Sequence, residues 1–266
     1  MTPALAAILL LSPACRAPRD PDLERRVAEA AVPTGTEAPP AAAPAPEPAK
    51  PEPASPGNAT VVPKAGEEEV RTLSDEEIQA ILAAVPGQGP VLSAILHTER
   101  GDIHCTLDAE AAPQTVANFV ALATAQRPWR DPDTGELMHT PLFDGLDFHR
   151  IISGYIAQTG NPGGHAGGPG WRIPREAGIP DAYDGEGIMG MVDAGDDTHG
   201  SQFFITLRPA KSLSGRYTPF GRCGDLGVVR TIADAEKKPV EGGKTPTRPV
   251  DPVRLEKVEV LRRAAE

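Results

Sequence analysis

The sequence predicts a mainly β domain, a barrel or sandwich with two helices, set behind a disordered Pro/Ala-rich arm. Three observations carry this. From Val91 onward, short apolar runs are punctuated by glycine-rich turns, the texture of many short strands rather than of a doubly wound sheet. Two helical patterns interrupt the runs. Ahead of them the chain is rich in Pro, Ala and Glu and poor in the aromatic and β-branched residues from which a core is built. Of 266 residues, 30 are proline, crowded toward the first quarter, so one globular domain is expected and it lies late in the chain.

Taken in order, residues 1–15 read MTPALAAILLLSPAC, an apolar run closed by small residues and Cys15. The run is too short to span a bilayer core of roughly 30 Å and reads as a secretion signal. It also resembles a bacterial lipoprotein signal, in which Cys15 is the lipidation site. It departs from that pattern in having no Lys or Arg before the apolar run and Ser12 three positions before the cysteine. Export to the periplasm, or tethering in the cell envelope through a lipid on Cys15, is the expectation; no other membrane contact is.

Residues 16–72 form the linker, since proline fixes φ and removes backbone donors, favouring extended polyproline II. At about 3.1 Å per residue such an arm spans up to roughly 150 Å. The sequon Asn58-Ala59-Thr60 within it is read as a chance occurrence. Residues 73–86 hold a short amphipathic helix: Ser74 and Glu77 form a capping box, and Ile78, Ile81, Leu82 and Val85 share one face. That face docks on the following domain or on a partner.

The main domain covers residues 90–264. Residues 91–98 and 103–107 read as a hairpin turning at Arg100-Gly101, and Pro113 opens a helix with Val116, Phe119, Val120 and Ala123 on its buried side. Further strands fall at 147–152, 155–158, 188–192, 202–207 and 220–223, followed by a helix at 226–235 and a last alternating strand at 253–261.

The net charge of -11, with no Lys/Arg stripe interleaved with aromatics, excludes nucleic acid as the expected partner. Cys15, Cys105 and Cys223 fit neither a disulfide framework nor a zinc spacing. Cys105 and Cys223 read by default as two buried thiols, with pairing open if their strands are adjacent. Asp193, Asp196, Asp197 and His199 are too close along one segment to make a convincing metal site, and Asp197, His199 and Ser201 cannot form a relay within one strand.

Three segments carry a family resemblance. The first is Phe148-His149-Arg150-Ile151-Ile152, followed by Gly154-Tyr155-Ile156-Ala157-Gln158-Thr159-Gly160. The second runs Gly190-Met191-Val192-Asp193-Ala194-Gly195 and on through Thr198-His199-Gly200-Ser201-Gln202-Phe203-Phe204-Ile205. The third is Leu213-Ser214-Gly215-Arg216-Tyr217 before Pro219-Phe220-Gly221. In this order and spacing they resemble the active-site segments of cyclophilins, peptidyl-prolyl cis/trans isomerases. The resemblance implies a closed eight-stranded antiparallel barrel capped by two helices, a monomer that needs neither cofactor nor metal, and partners that are proline-containing peptides and folding proteins. It gives Arg150 the catalytic role. It counts His149 among the substrate-binding residues, has Gln158 and Gln202 orient the peptide and the arginine by hydrogen bonds, has Tyr155, Ile156, Phe204, Leu213 and Tyr217 wall a proline pocket, and assigns the backbone at Val192 and Asp193 to pairing with the peptide. The stretch 126–144 is longer than compact members have and implies an extra surface loop. Ser212 and Asp193 depart from the usual Trp and Asn.

The chemistry explains these residue types. Amide rotation is opposed by roughly 18–20 kcal/mol because the nitrogen lone pair is delocalised, so a catalyst must favour the twisted state. A permanently protonated guanidinium donates to the prolyl carbonyl and nitrogen region, and an apolar wall favours the less dipolar twisted amide. The rival reading is a non-catalytic module that holds proline-containing segments. Retention of Arg150 and Gln158 favours the enzyme, since a binder needs only the pocket.

Overall fold

The computed structural model describes residues 69–164, 168–177, 179, 183–240 and 245–265. The signal segment with Cys15, the arm up to residue 68 and the sequon at Asn58 lie outside the described residues.

The first elements are a two-residue strand, β1 (Glu69–Val70), and α1 (Asp75–Ala83). Ser74 Oγ accepts the Glu77 N–H while the Glu77 carboxylate accepts the Ser74 N–H, so both ends of the capping box are satisfied. Leu73, Ile78, Leu82 and Val85 are buried in the main core, so the helix docks on the domain. The hairpin β2 (Val91–Thr98) and β3 (Gly101–Leu107) follows, then α2 (Pro113–Ala123), opened by Pro113 at its first turn. Gln114 bridges backward, its Oε1 accepting the Leu73 N–H at 2.8 Å and its Nε2 donating to the Leu73 carbonyl at 2.7 Å.

The stretch 126–144 holds a small hairpin, β4 (Trp129–Arg130) and β5 (Leu137–Met138). Trp129 is buried and its indole N–H donates to the Thr140 carbonyl at 2.9 Å. The remaining strands are β6 (Leu146–Asp147), β7 (Arg150–Ile152), β8 (Ile156–Thr159), β9 (Trp171–Pro174), β10 (Ile188–Met191), β11 (Thr198–His199), β12 (Phe203–Thr206) and β13 (Pro219–Cys223). They are followed by α3 (Gly227–Ala233), β14 (Lys237–Pro239), β15 (Pro246–Pro249) and β16 (Arg254–Arg263).

The main sheet has nine strands in the order β6-β16-β2-β3-β13-β10-β12-β8-β7. This corrects the expectation of a closed eight-stranded barrel capped by two helices: the sheet curls without closing, and three α-helices stand among the described residues. The edges β6 and β7 are consecutive in sequence, separated by Phe148 and His149. Phe148 turns into the core, fully buried, and its N–H donates to the Val253 carbonyl, one residue beyond the β6–β16 pairs and in the same antiparallel register. One side chain links β6 to β8, Thr159 Oγ1 donating to the Asp147 carbonyl at 2.9 Å. A second, three-stranded sheet runs β1-β9-β11, with the Arg71 N–H donating to the Arg172 carbonyl beyond the β1–β9 pair.

The core centres on four phenylalanines brought together from α2, the loop after it, β12 and β13. Phe119 meets Phe143, Phe203 and Phe220 at ring centroid distances of 5.0, 5.5 and 5.3 Å. Each buries a large apolar surface with offset or edge geometry, which adds to the transfer term.

Cys105 of β3 and Cys223 of β13 are cross-strand partners and form a disulfide, correcting the reading of two buried thiols. It closes a span of 118 residues, so a large part of its stabilisation comes from restricting the unfolded chain. Replacing both cysteines by alanine is expected to lower unfolding free energy by about 2–4 kcal/mol. Denaturant titration checks this; equal stability of the variant and the oxidised protein would contradict it.

Candidate active site

Register builds the site. Across β7, β8, β12 and β10, Arg150 stands opposite Gln158, Gln158 opposite Phe204, and Phe204 opposite Gly190. Directly opposed residues share a face of a sheet, so these four form one row on the side away from the main core. The adjacent row, Ile151, Ala157, Ile205 and Met189, points the other way and is fully buried in the core. The same alternation separates Phe203, in the main core, from Phe204, in a second apolar cluster.

Along the row runs a chain of hydrogen bonds. Arg150 Nη1 donates to Gln158 Oε1 at 3.1 Å, and Gln158 Nε2 donates to Gln202 Oε1 at 3.0 Å. His149 Nε2 lies 3.4 Å from Gln158 Nε2. Burial lowers the His149 pKa to about 4, and the neighbouring Arg150 charge adds to the effect, so the imidazole is neutral at pH 7. Burial also lowers the Arg150 pKa from its ordinary value, yet a guanidinium stays protonated in proteins. The result is a half-buried, oriented cation facing an apolar surface.

That surface is the second cluster. Tyr155, Ile156, Phe204 and Leu213 are buried in it, with Val192 and Tyr217 packed at its edge. Phe204 and Tyr217 meet edge to face at 5.5 Å, and the Arg208 guanidinium lies 4.7 Å over the Tyr155 ring. Every wall residue named from the sequence thus falls in one place. Two residues were not legible: Arg208, and Tyr183, a fully buried member of the same cluster. No periodic pattern points to Tyr183, because the sequence around it is rich in Gly, Pro and Asp.

At the rim, the Val192 N–H donates to the Gln202 carbonyl at 2.9 Å, and Asp193 Oδ1 accepts the Gly195 N–H at 2.8 Å. The Asp193 carboxylate therefore closes its own turn. Ser212 is exposed on the short turn Lys211–Leu213.

Behind the rim, a strap just after β9 ties the parts together. The Glu176 carboxylate accepts the N–H groups of Gln114 and Thr115, at 2.9 and 2.8 Å, satisfying the first turn of α2. Thr218 Oγ1, next to Tyr217, donates to the Glu176 carbonyl at 3.0 Å. Arg175 donates to the Gly215 carbonyl and pairs with Asp197 at 2.9 Å, joining the loops that carry Tyr217 and Asp193. His199 is buried against Thr115 Oγ1 at 3.1 Å, and burial lowers its pKa to about 4. Ser201 Oγ donates to the Gly160 carbonyl, so His199 and Ser201 serve different partners.

Both histidines have a folded pKa below their ordinary value of 6.5. Between about pH 4 and 6.5 the unfolded chain therefore binds more protons than the folded one, and stability rises with pH across that window. Urea midpoints are expected to be flat above about pH 6.5 and to fall below it. The His199→Asn variant, which cannot titrate, is expected to show a shallower fall; an unchanged slope would contradict the assignment.

The comparisons agree with this geometry. The family model described as cyclophilin type peptidyl-prolyl cis-trans isomerase/CLD matches residues 93–260. The chain belongs to the cyclophilin family. It is 42% identical over 171 residues to peptidyl-prolyl cis-trans isomerase B of Streptomyces anulatus, covering 64% of this cyclophilin and 96% of that protein. With peptidyl-prolyl cis-trans isomerase A of Mycobacterium tuberculosis it is 37% identical over 169 residues, covering 63% and 91%. A Cryptosporidium parvum cyclophilin-type isomerase shares the fold at 24% identity, with a TM-score of 0.54 over 65% of this chain and 99% of that one. A crystal structure of the same protein in the presence of the dipeptide Ala-Pro matches at 25% identity, with a TM-score of 0.53 over 64% of this chain and 99% of that one. Leu73, Ile78, Leu82, Val85 and Leu92 precede the matched region yet are buried in its core.

Proposed function

We propose that this cyclophilin accelerates cis/trans rotation of X-Pro bonds in folding proteins, with Arg150 as its catalytic residue. The observation that carries the reading is the row Arg150–Gln158–Phe204: one oriented cation set beside an apolar wall on a rigid sheet. Family membership and two bacterial relatives named as isomerases, at 37% and 42% identity, support the activity.

Rotation breaks no covalent bond, so the task is to favour a twisted amide over planar ones. The apolar wall takes the prolyl ring out of water and disfavours the charge-separated planar form. Arg150 donates toward the prolyl carbonyl and the nitrogen, whose lone pair returns as the bond twists. Gln158 accepts from Arg150 and donates to Gln202, so the guanidinium is aimed before substrate arrives. The rim at Val192 and Asp193 holds the residues before the proline, and the Asp193 charge makes acidic peptides poorer substrates.

The setting we propose is the cell envelope, reached through the signal in residues 1–15, with a lipid on Cys15 as tether and the arm as spacer. The Cys105–Cys223 disulfide supports an oxidising compartment. The domain works as a monomer.

Refolding of a protein whose slow phase is limited by an X-Pro bond tests the function. Substoichiometric amounts of the intact cyclophilin are expected to shorten that phase. A holding module without catalysis would leave the phase unchanged, or slow it when in excess. Cell fractionation of a Cys15→Ser variant checks the tether, which is expected to move from the membrane to the soluble fraction.

A further inference from the structure

The pocket wall rests on a residue that lies beneath it. Tyr183 is fully buried and stacks on Phe204 with ring centroids 6.0 Å apart and planes inclined at 25°. Its hydroxyl donates a long hydrogen bond, 3.4 Å, to the Tyr217 carbonyl. Its own carbonyl accepts the Ala210 N–H at 2.9 Å, where the chain enters the short turn that carries Leu213. One side chain and its backbone thus touch all three elements bearing the wall residues Phe204, Leu213 and Tyr217.

Space for this arrangement comes from Gly190. A Cβ there would fall 2.2 Å from the Tyr183 hydroxyl oxygen and 2.5 Å from Phe204 Cζ, closer than side chains approach. Gly190 has no left-handed φ to explain it. The position sits in β10, where the register against β13 shifts between Met189 and Gly190, and glycine in a strand marks a bulge or a close approach. What approaches is Tyr183 with Phe204.

We infer that Tyr183 and Gly190 are a matched pair that positions Phe204, and through it sets the shape of the proline pocket. Tyr183 is a positioning residue, since Phe204 stands between it and substrate. Burial raises its pKa well above the ordinary tyrosine value, so the hydroxyl remains a donor throughout the working pH range. The inference rests on the isomerase reading only for the identity of the ligand, an X-Pro peptide. Its test therefore reads peptide affinity as well as rate.

Four intact proteins decide it: wild type, Gly190→Ala, Tyr183→Leu, and the double variant. In each, affinity for a short Ala-Pro peptide is measured by titration and exchange rate by NMR, per molecule of folded protein. Gly190→Ala pushes Phe204 off its place and is expected to weaken peptide affinity about tenfold or more, because sub-ångström misplacement at a site is costly. Tyr183→Leu removes the hydroxyl and ring that the new methyl would meet at 2.2 Å, and gives Phe204, 2.5 Å from that methyl, room to yield. The double variant is then expected to bind several-fold better than Gly190→Ala alone, a coupling between neighbours that independent sites do not show. Independent, multiplicative losses would overturn the pairing, as would a Gly190→Ala protein that binds normally. Should Gly190→Ala fail to fold, Tyr183→Phe replaces it. Loss of the bond to Tyr217 is expected to weaken affinity two- to threefold, on the scale of a single hydrogen bond, and unchanged affinity would overturn the assignment. A wild type that binds peptide without exchanging it would sink the isomerase reading and leave the pairing to be judged on affinity alone.

Discussion

Arg150→Ala is expected to reduce kcat/KM for an Ala-Pro peptide by about 10²–10³, the scale seen when one preorganised donor is removed from a reacting oxygen or nitrogen. The loss falls on kcat more than on KM, because the apolar wall that binds the ring is untouched. Arg150 is half-buried, and its removal takes one donor from Gln158 Oε1 while Gln158 Nε2 stays bonded to Gln202, so the fold loses a single hydrogen bond. Circular dichroism and thermal melting of the variant are expected to follow the parent. Arg150→Lys is expected to recover only part of the rate: an ammonium keeps the charge but loses the planar fork that Gln158 orients. A variant with unchanged kcat/KM would remove Arg150 from the mechanism.

The second large effect separates two neighbours. Phe203 touches Phe119, Phe143 and Phe220 in the main core, whereas Phe204 stacks on Tyr183 and meets Tyr217 edge to face in the second cluster. Phe203→Ala opens a cavity where four rings meet and is expected to cost about 3–5 kcal/mol of stability. A 5 kcal/mol loss is comparable to the whole stability of many domains, so the variant is measured at low temperature or in stabilising osmolyte. Phe204→Ala, one residue along, is expected to cost less stability and far more activity, raising KM by tenfold or more as the pocket loses its central ring. Denaturant midpoints and KM on the same pair check both halves. Equal stability losses with equal activities would mean that the alternation assigned to β12 is wrong.

The grouping of the candidate site's residues was more legible in the sequence than the fold that holds them. His149, Arg150, Gln158, Gln202 and Phe204 sit in short segments whose residue types answer to one chemical task, and strand alternation alone separates Phe203 from Phe204. Closure of the sheet was not legible. Whether a sheet closes depends on which strands its two edges pair with, and here β6 pairs with β16 at one end and β7 with β8 at the other. The Cys105–Cys223 bond was equally hidden, because pairing depends on β3 and β13 being neighbours across more than a hundred residues of chain. Tyr183 was missed for a third reason: the sequence around it is rich in Gly, Pro and Asp, and its role appears only when the missing Cβ of Gly190 is considered in three dimensions. The capping box at Ser74 shows the opposite case, local chemistry readable without any tertiary contact.

The central claim is that one oriented cation beside an apolar wall lowers the barrier to X-Pro rotation. Exchange spectroscopy on a short Ala-Pro peptide at low temperature, with a small molar fraction of the intact protein and then of Arg150→Ala, tests it most directly. The account predicts cis-to-trans exchange well above the uncatalysed rate with the parent, and a return close to that rate with the variant, while both proteins still shift the peptide resonances. Peptide binding by the parent with exchange no faster than in buffer would contradict it.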